Sequence, residues 1–250
     1  MIEVKSIENV SLISINQGKV NALDREMLIN LEKALDVINQ QHKTNVILLT
    51  GTGSFFSFGL DIPSFLDTPR DELKTSIQKL LKICKSLYLS DKITISSING
   101  HATGAGCMLA ISTDFRLMVN RRAKIALNEI NIGLSLFSST ISMLRNLIGY
   151  NNAKRFLLTG NLISPEEALK NGLVDELHDK EELYGKSLEL ALSFKDKNNL
   201  VIKNMKRELL VDITNYLDDS DESIENFMNI FYLKETQEIS QIYTPFKNSH

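Results

Sequence analysis

The sequence predicts an α/β fold with a helical C-terminal extension, and three observations predict it. Short apolar or alternating stretches and amphipathic helical stretches follow one another up to about residue 135, and from residue 138 onward the pattern turns largely helical. The 250 residues suffice for one α/β core with an appended segment. A hydrophobic content of 43% beside 24% charged residues is that of an ordinary folded globular chain. We divide the chain into an α/β core over 1–195 and a helical extension over 196–250.

Taken in order, Val10-Ser11-Leu12-Ile13-Ser14-Ile15 alternates as a strand does. Asp24 stands where an N-cap belongs, ahead of Met27, Leu28, Leu31, Leu35 and Ile38 at helical spacing. Val46-Ile47-Leu48-Leu49-Thr50-Gly51 is almost wholly apolar, the pattern of a parallel strand buried on both faces. The stretch 52–62, rich in glycine, serine and phenylalanine, reads as a loop. Residues 70–89 form an amphipathic helical pattern, and Ile93-Thr94-Ile95-Ser96-Ser97-Ile98 a strand running directly into the Asn99-Gly100 turn. Phe115-Arg116-Leu117-Met118-Val119 and Lys124-Ile125-Ala126-Leu127 read as further short strands, with Glu129 just past the second. Helical patterns then cover 141–148, 152–159, 165–171, 181–194, 200–216 and 224–238. The acidic run from Asp218 to Glu225 reads as a solvated loop and helix start.

A net charge of −3 provides no general attraction to nucleic acid or to anionic membranes, and no eighteen apolar residues run uninterrupted. Neither partner is expected. Cys84 and Cys107 are too few for a disulfide framework, and Met1-Ile2-Glu3-Val4-Lys5-Ser6 lacks the basic and apolar regions of a signal peptide. A cytoplasmic location is the expectation, and Phe246-Lys247-Asn248-Ser249-His250 is not an address of the Ser-Lys-Leu type. Four scattered histidines without a Cys-x-x-Cys pair predict no metal site.

Two segments carry chemistry. In Asn99-Gly100-His101-Ala102-Thr103-Gly104-Ala105-Gly106-Cys107-Met108, small residues let the backbone approach a ligand closely. A helix beginning there would aim free N–H groups and its positive dipole end at an oxyanion. The same residues also suit a tight turn that merely permits packing. In Ile125-Ala126-Leu127-Asn128-Glu129-Ile130-Asn131-Ile132-Gly133, apolar neighbours would desolvate the Glu129 carboxylate and raise its pKa toward working pH, as a general base requires. The alternative is a surface glutamate in a loop.

Together with Phe56-Ser57-Phe58-Gly59-Leu60-Asp61-Ile62, these segments resemble the crotonase superfamily of enoyl-CoA hydratases and isomerases. The resemblance runs from Lys19-Val20-Asn21-Ala22-Leu23 to the stretch from Leu162 to Asp175, and beyond it the chain matches only in helical character. It implies a fold of repeated ββα units, followed by helices that cover the site or pack on a neighbouring subunit. It implies backbone N–H donors at Leu60 and Ala105 for a thioester enolate, and Glu129 as a catalytic carboxylate. Ala22, Phe58, Gly59, Asp61, Gly104, Gly106 and Met108 fall at positions that bind substrate. Lys19 and Arg25 are candidate phosphate partners, coenzyme A enters only as part of the acyl-CoA substrate, and the precedent is a homotrimer or dimer of trimers.

Met108 occupies the place of the hydratases' first glutamate, and it cannot hold or activate water. Leu134-Ser135-Leu136-Phe137-Ser138 also lacks the Pro-Gly-rich pattern usual in hydratases. In both the Leu-Asn-Glu run and the hydrophobic substitution the chain is similar to Δ3,Δ2-enoyl-CoA isomerases, where one carboxylate moves a proton between C2 and C4. Rival readings are hydration of a 2-enoyl-CoA or hydrolysis of an acyl-CoA thioester, with a second polar group from His101, Ser135 or Ser138. A noncatalytic acyl-CoA or RNA-binding module, using Lys197, Lys203, Lys206 and Arg207, stands further off. Asp61 and Asp114 read as bracing residues and Cys107 as a packed one.

Overall fold

The computed structural model describes residues 1–218 and 221–242. Strands β1 (Ile2–Ile7) and β2 (Val10–Ile15) form a hairpin, and β3 (Ala22–Leu23) leads into α1 (Arg25–Gln40). There the Asp24 side chain accepts from the Met27 amide at 2.8 Å, and the predicted apolar stripe is buried. Next come β4 (Val46–Gly51), β5 (Phe55–Ser57), β6 (Gly59–Leu60), α2 (Ile62–Phe65) and α3 (Arg70–Tyr88). Then follow β7 (Ile93–Ile98), β8 (His101–Thr103), α4 (Ala105–Ile111), β9 (Phe115–Val119), β10 (Ile125–Ala126) and a 3₁₀ turn over Glu129–Ile132. The chain continues through α5 (Ser138–Thr159), α6 (Pro165–Lys170), β11 (Glu176–His178) and α7 (Lys180–Leu192). Helices α8 (Asn199–Leu209), α9 (Val211–Thr214), α10 (Asp221–Phe231) and α11 (Lys234–Ile242) complete it.

The main sheet has the order β1-β2-β4-β7-β9-β11, parallel except at β1. Its central strands are buried on both faces, which is why β4 carries almost no polar residue. Helix α7 packs on β4, β7 and β9, while β5 lies against β4 and β7. A small parallel sheet, β10-β8-β5, and the pair β3-β6 complete a spiral. In successive turns β2, β4, β7 and β9 enter the main sheet, β3, β5, β8 and β10 enter a small one, and a helix follows.

Two asparagines stitch the turns together. Asn21, fully buried with φ of 52°, donates to the carbonyls of Thr52 and Phe55 and accepts from the Gln17 amide. Asn99 accepts from the Gly51 amide at 3.0 Å and donates to the carbonyls of Gly53 and Phe55. Residues 17–23, 51–60 and 99–105 therefore converge at one end of the parallel strands, where α/β folds place ligands.

The stretch 52–62 is not simply a loop: it contains β5 and β6, each too short to show a period. The hairpin strand β1 also went unpredicted, because as an edge strand it buries little. The helical patterns over 141–148 and 152–159 join in α5, which Gly149 interrupts at φ 74° and ψ 164°. The pattern over 200–216 divides at Leu210 into α8 and α9, and that over 224–238 into α10 and α11. The centre of the acidic run, at 219–220, and the terminal stretch 246–250 lie outside the described residues.

Lys206 of α8 donates to Asp114 Oδ2 at 2.6 Å and to the Lys92 carbonyl at 2.8 Å. Asp114 Oδ2 also accepts from the Thr94 amide, so this aspartate braces the fold as predicted. Lys206 is 8% exposed, burial lowers its pKa, and Lys203 pairs with Asp91 at 2.7 Å. Two of the four cations of the basic stretch are thus engaged in ion pairs within the fold.

Candidate active site

A cavity of about 360 Å³ opens where these turns meet. Leu60, Gly104, Ala105, Met108 and Glu129 line it, as do Ala22, Phe58 and Asp61. Gly59 and Gly106, expected to contact substrate, do not line it. Both are buried against backbone, Gly106 with its Cα face against the Ser57 carbonyl. Asp61 sits at the start of α2 without a side-chain capping bond to that helix.

The two proposed donors are brought together by glycine geometry. Gly59 has φ of 100°, and a Cβ on it would stand 2.7 Å from the Thr103 carbonyl oxygen and 2.9 Å from the Ala105 amide nitrogen. Only glycine lets β6 approach the start of α4 this closely. Ala105 is the first residue of α4, so its N–H is among those a helix leaves without an internal partner. Gly104, at φ 53° and ψ −126°, turns the chain from β8 into that helix. Alanine at 105 needs no left-handed conformation, because Gly104 takes it.

The carboxylate arrives from the neighbouring strand. β10 pairs with β8, and the Gly104 amide donates to the Ala126 carbonyl at 3.0 Å, holding the end of β10 beside the glycine turn. The chain then coils through the 3₁₀ turn that begins at Glu129. A Cβ on Gly104 would lie 3.5 Å from Glu129 Oε1, so the carboxylate stands next to the oxyanion turn. Glu129 Oε2 is sealed from solvent with no hydrogen-bond partner in the protein. Burial pushes its pKa up to about 7. Nearby Cys107 is buried, and burial together with the Glu129 charge drives its thiol pKa well up, as for a packed, inert residue.

Met108, one turn along α4 from Ala105, presents an apolar side chain to the cavity and is 2% exposed. Leu80, Ile132, Leu134, Phe137 and Phe227 extend that apolar wall. Leu80 and Phe227 did not stand out in the sequence, because each reads there as an ordinary core residue of an amphipathic helix. Phe227 comes from α10, and its ring centroid lies 5.0 Å from that of Phe137. Thr103 and Asn128 also line the cavity. The Thr103 hydroxyl donates to the Phe58 carbonyl at 2.9 Å, tying β8 to the loop before β6.

Of the three polar groups considered for a second role, only Ser135 lines the cavity. His101 is stacked on Phe55 at 4.8 Å between ring centroids, and Ser138 lies 3.3 Å from the Ser223 hydroxyl. Lys19 lines the cavity with Gln17 and Gly18, whereas Arg25 pairs with Glu72. Among the described residues no helix is long and apolar enough to cross a membrane, and no three His, Cys, Asp or Glu side chains converge as metal ligands would.

This spiral of ββα turns, with a backbone-lined pocket at the strand ends, defines the crotonase class of fold. The chain belongs to the enoyl-CoA hydratase/isomerase family, whose profile it matches over residues 5–244. It is 29% identical to the mouse mitochondrial enoyl-CoA delta isomerase 1 across 97% of this chain and 85% of that protein. The human mitochondrial delta3-delta2-enoyl-CoA isomerase superposes with a TM-score of 0.88 at 24% identity, covering 97% of this chain and 96% of that one. An enoyl-CoA hydratase from Bacillus halodurans superposes equally well, with a TM-score of 0.87 at 24% identity, covering 96% of this chain and 99% of that one. Shape alone therefore does not separate the two chemistries. The protein is an enzyme of the crotonase superfamily with enoyl-CoA isomerase/hydratase-type activity.

Proposed function

We propose that the protein isomerises 3-enoyl-CoA to 2-enoyl-CoA with Glu129 as the shuttling base. The observation that carries this reading is the Glu129 carboxylate, one oxygen sealed from solvent, beside the glycine turn, with Met108 where a hydratase would need a second acid. The thioester oxygen accepts hydrogen bonds from the Leu60 and Ala105 amides, which favours the enolate over the neutral thioester. Glu129 takes a proton from C2, the electrons spread to C4, and the same carboxyl returns the proton there. A pKa near 7 suits both halves of that transfer.

Proton shuttling requires no metal or redox cofactor, and coenzyme A enters only with the substrate. Lys19, on the cavity lining, is a phosphate partner of that moiety. The working assembly is a homotrimer or dimer of trimers, read from the family precedent and testable by sedimentation equilibrium, and the working compartment is the cytoplasm. The test of activity is ultraviolet detection of thioester conjugation as purified protein meets 3-hexenoyl-CoA, beside Glu129→Gln. Conjugation that vanishes in the variant supports the reading. Failure of folded wild-type protein to convert the substrate, or conversion that survives the substitution, overturns it.

A further inference from the structure

Helices α3 and α10 each give one residue to the cavity and one half of an ion-pair cluster outside it. On α3, Leu80 lines the apolar wall, and Arg70 and Lys74 stand earlier on the same helix. On α10, the buried Phe227 lines the wall, with Glu225 two residues before it. Two residues turn a helix by about 200°, so Glu225 and Phe227 stand on opposite sides of α10. The Glu225 carboxylate takes both cations: Arg70 Nη2 donates to Oε2 at 2.6 Å and Lys74 Nζ to Oε1 at 2.8 Å. One turn on, Asn229 Oδ1 accepts from the same Arg70 nitrogen at 2.7 Å. The Arg70 guanidinium lies 5.8 Å from the centroid of the Tyr232 ring, and the Tyr232 hydroxyl donates to the Thr68 carbonyl, just before α3, at 2.7 Å. A lone exposed ion pair contributes little, but here two cations share one carboxylate, and Asn229 and Tyr232 join the same two helices. In the sequence Glu225 reads only as the end of a solvated acidic run.

We propose that Glu225 is a positioning residue for acyl-chain selection: with Arg70 and Lys74 it fixes the gap between Leu80 and Phe227, and so the length of chain the cavity takes. Glu225 does not line the cavity, so it acts through Phe227. The wall it positions, Leu80, Leu134, Phe137 and Phe227, carries no polar side chain, and the acyl tail is the part of an acyl-CoA that such a wall holds. The Phe227 ring also packs on Phe137 and Phe231, with centroids 5.0 Å and 6.1 Å away, so a shift of α10 displaces an aromatic cluster and not one side chain. Releasing α10 widens the gap, which loosens the hold on short chains and admits long ones. Arg70, Lys74 and Glu225 are all partly exposed, so salt screens the cluster and chain-length preference depends on ionic strength.

The inference rests on the acyl-CoA reading of the cavity and not on the reaction carried out there. Hexanoyl-CoA and dodecanoyl-CoA are titrated by calorimetry into wild type, Glu225→Ala, Glu225→Gln and Arg70→Ala. On the same samples kcat and KM are measured for 3-hexenoyl-CoA and 3-dodecenoyl-CoA. The ratio of the two affinities cancels whatever the shared CoA moiety contributes. Glu225→Ala should shift that ratio toward the longer chain by about tenfold, with the nearly isosteric Glu225→Gln and Arg70→Ala moving it in the same direction. In turnover the change should lie in KM, with kcat for 3-hexenoyl-CoA within about threefold of wild type. Sodium chloride at about 1 M should move the wild-type ratio the same way and leave that of Glu225→Ala in place. An unmoved ratio in the folded variants, or a loss equal for both chain lengths, overturns the proposal. Wild type that binds neither thioester overturns it together with the acyl-CoA reading. A shifted binding ratio without isomerisation overturns the proposed reaction and leaves this inference standing.

Discussion

Glu129 is an expensive residue to keep: its carboxylate is desolvated, without a side-chain partner, and titrates near 7 instead of the usual carboxylate range. That cost has a sign that can be measured. The folded state binds the proton more tightly than the unfolded one, so the penalty is absent at low pH, grows from about pH 4.5 and is complete above about pH 7. A shift of this size corresponds to about 3 kcal/mol. Glu129→Gln should therefore raise the melting temperature at pH 8, with the gain vanishing near pH 4, in calorimetric scans across that range. The activity should show the opposite preference, because the base must be ionised: kcat/KM should fall as pH drops through about 7. Glu129→Gln should lower kcat by about 10³-fold or more, since the other carboxylate that lines the cavity among the described residues, Asp61, stands just past β6 and not beside the glycine turn. Ala105→Pro tests the oxyanion hole at the same scale. Proline fits the first position of a helix, so the change removes one N–H from the site and leaves α4 in place. A loss of about 3 kcal/mol of transition-state stabilisation, on the order of 10²-fold in kcat, is expected in steady-state kinetics.

At the level of elements, the site depends on how closely β6 approaches the start of α4. Gly59→Ala would add a Cβ 2.7 Å from a carbonyl oxygen and demand φ of 100° from alanine. A destabilisation of about 2 kcal/mol or more should appear in denaturant titration, together with a loss of kcat as the two donors separate. The glycine-rich turn and the pattern ending in Asp61 were legible in the sequence because each is local: the residues that shape the turn are the residues in it. The strands β5 and β6 were not, because two or three residues carry no period and become strands only when β8 and β3 pair with them. Gly106 illustrates the same limit. Its small size reads as access for a ligand, but it serves the contact between α4 and the Ser57 carbonyl.

Across the whole molecule, the C-terminal helices belong to the catalytic pocket as much as to the scaffold. Phe227 of α10 closes the apolar wall with Phe137, and Thr236 and Ile239 of α11 pack on Gly133, just past the 3₁₀ turn that begins at Glu129. Phe227→Ala should shift the preference toward longer acyl chains, read as the ratio of kcat/KM for 3-dodecenoyl-CoA and 3-hexenoyl-CoA. Helix α8 is pinned by the buried Lys206–Asp114 pair, and Lys206→Ala should cost about 3 kcal/mol because it strands a half-buried aspartate. From its sequence alone the chain determined the α/β class, the helical cap on α1, the carboxylate at Glu129 as the candidate base and the apolar residue at Met108. These are properties of adjacent residues or of a periodic stretch, and they survive without knowing what lies opposite. The tertiary structure alone decided that Glu129 meets the turn at Gly104, that Ser135 and not His101 or Ser138 faces the cavity, and that Phe227 forms its wall. Those are contacts between segments distant in sequence, and they exist only after loop closure has brought the turns of the spiral to one end of the sheet.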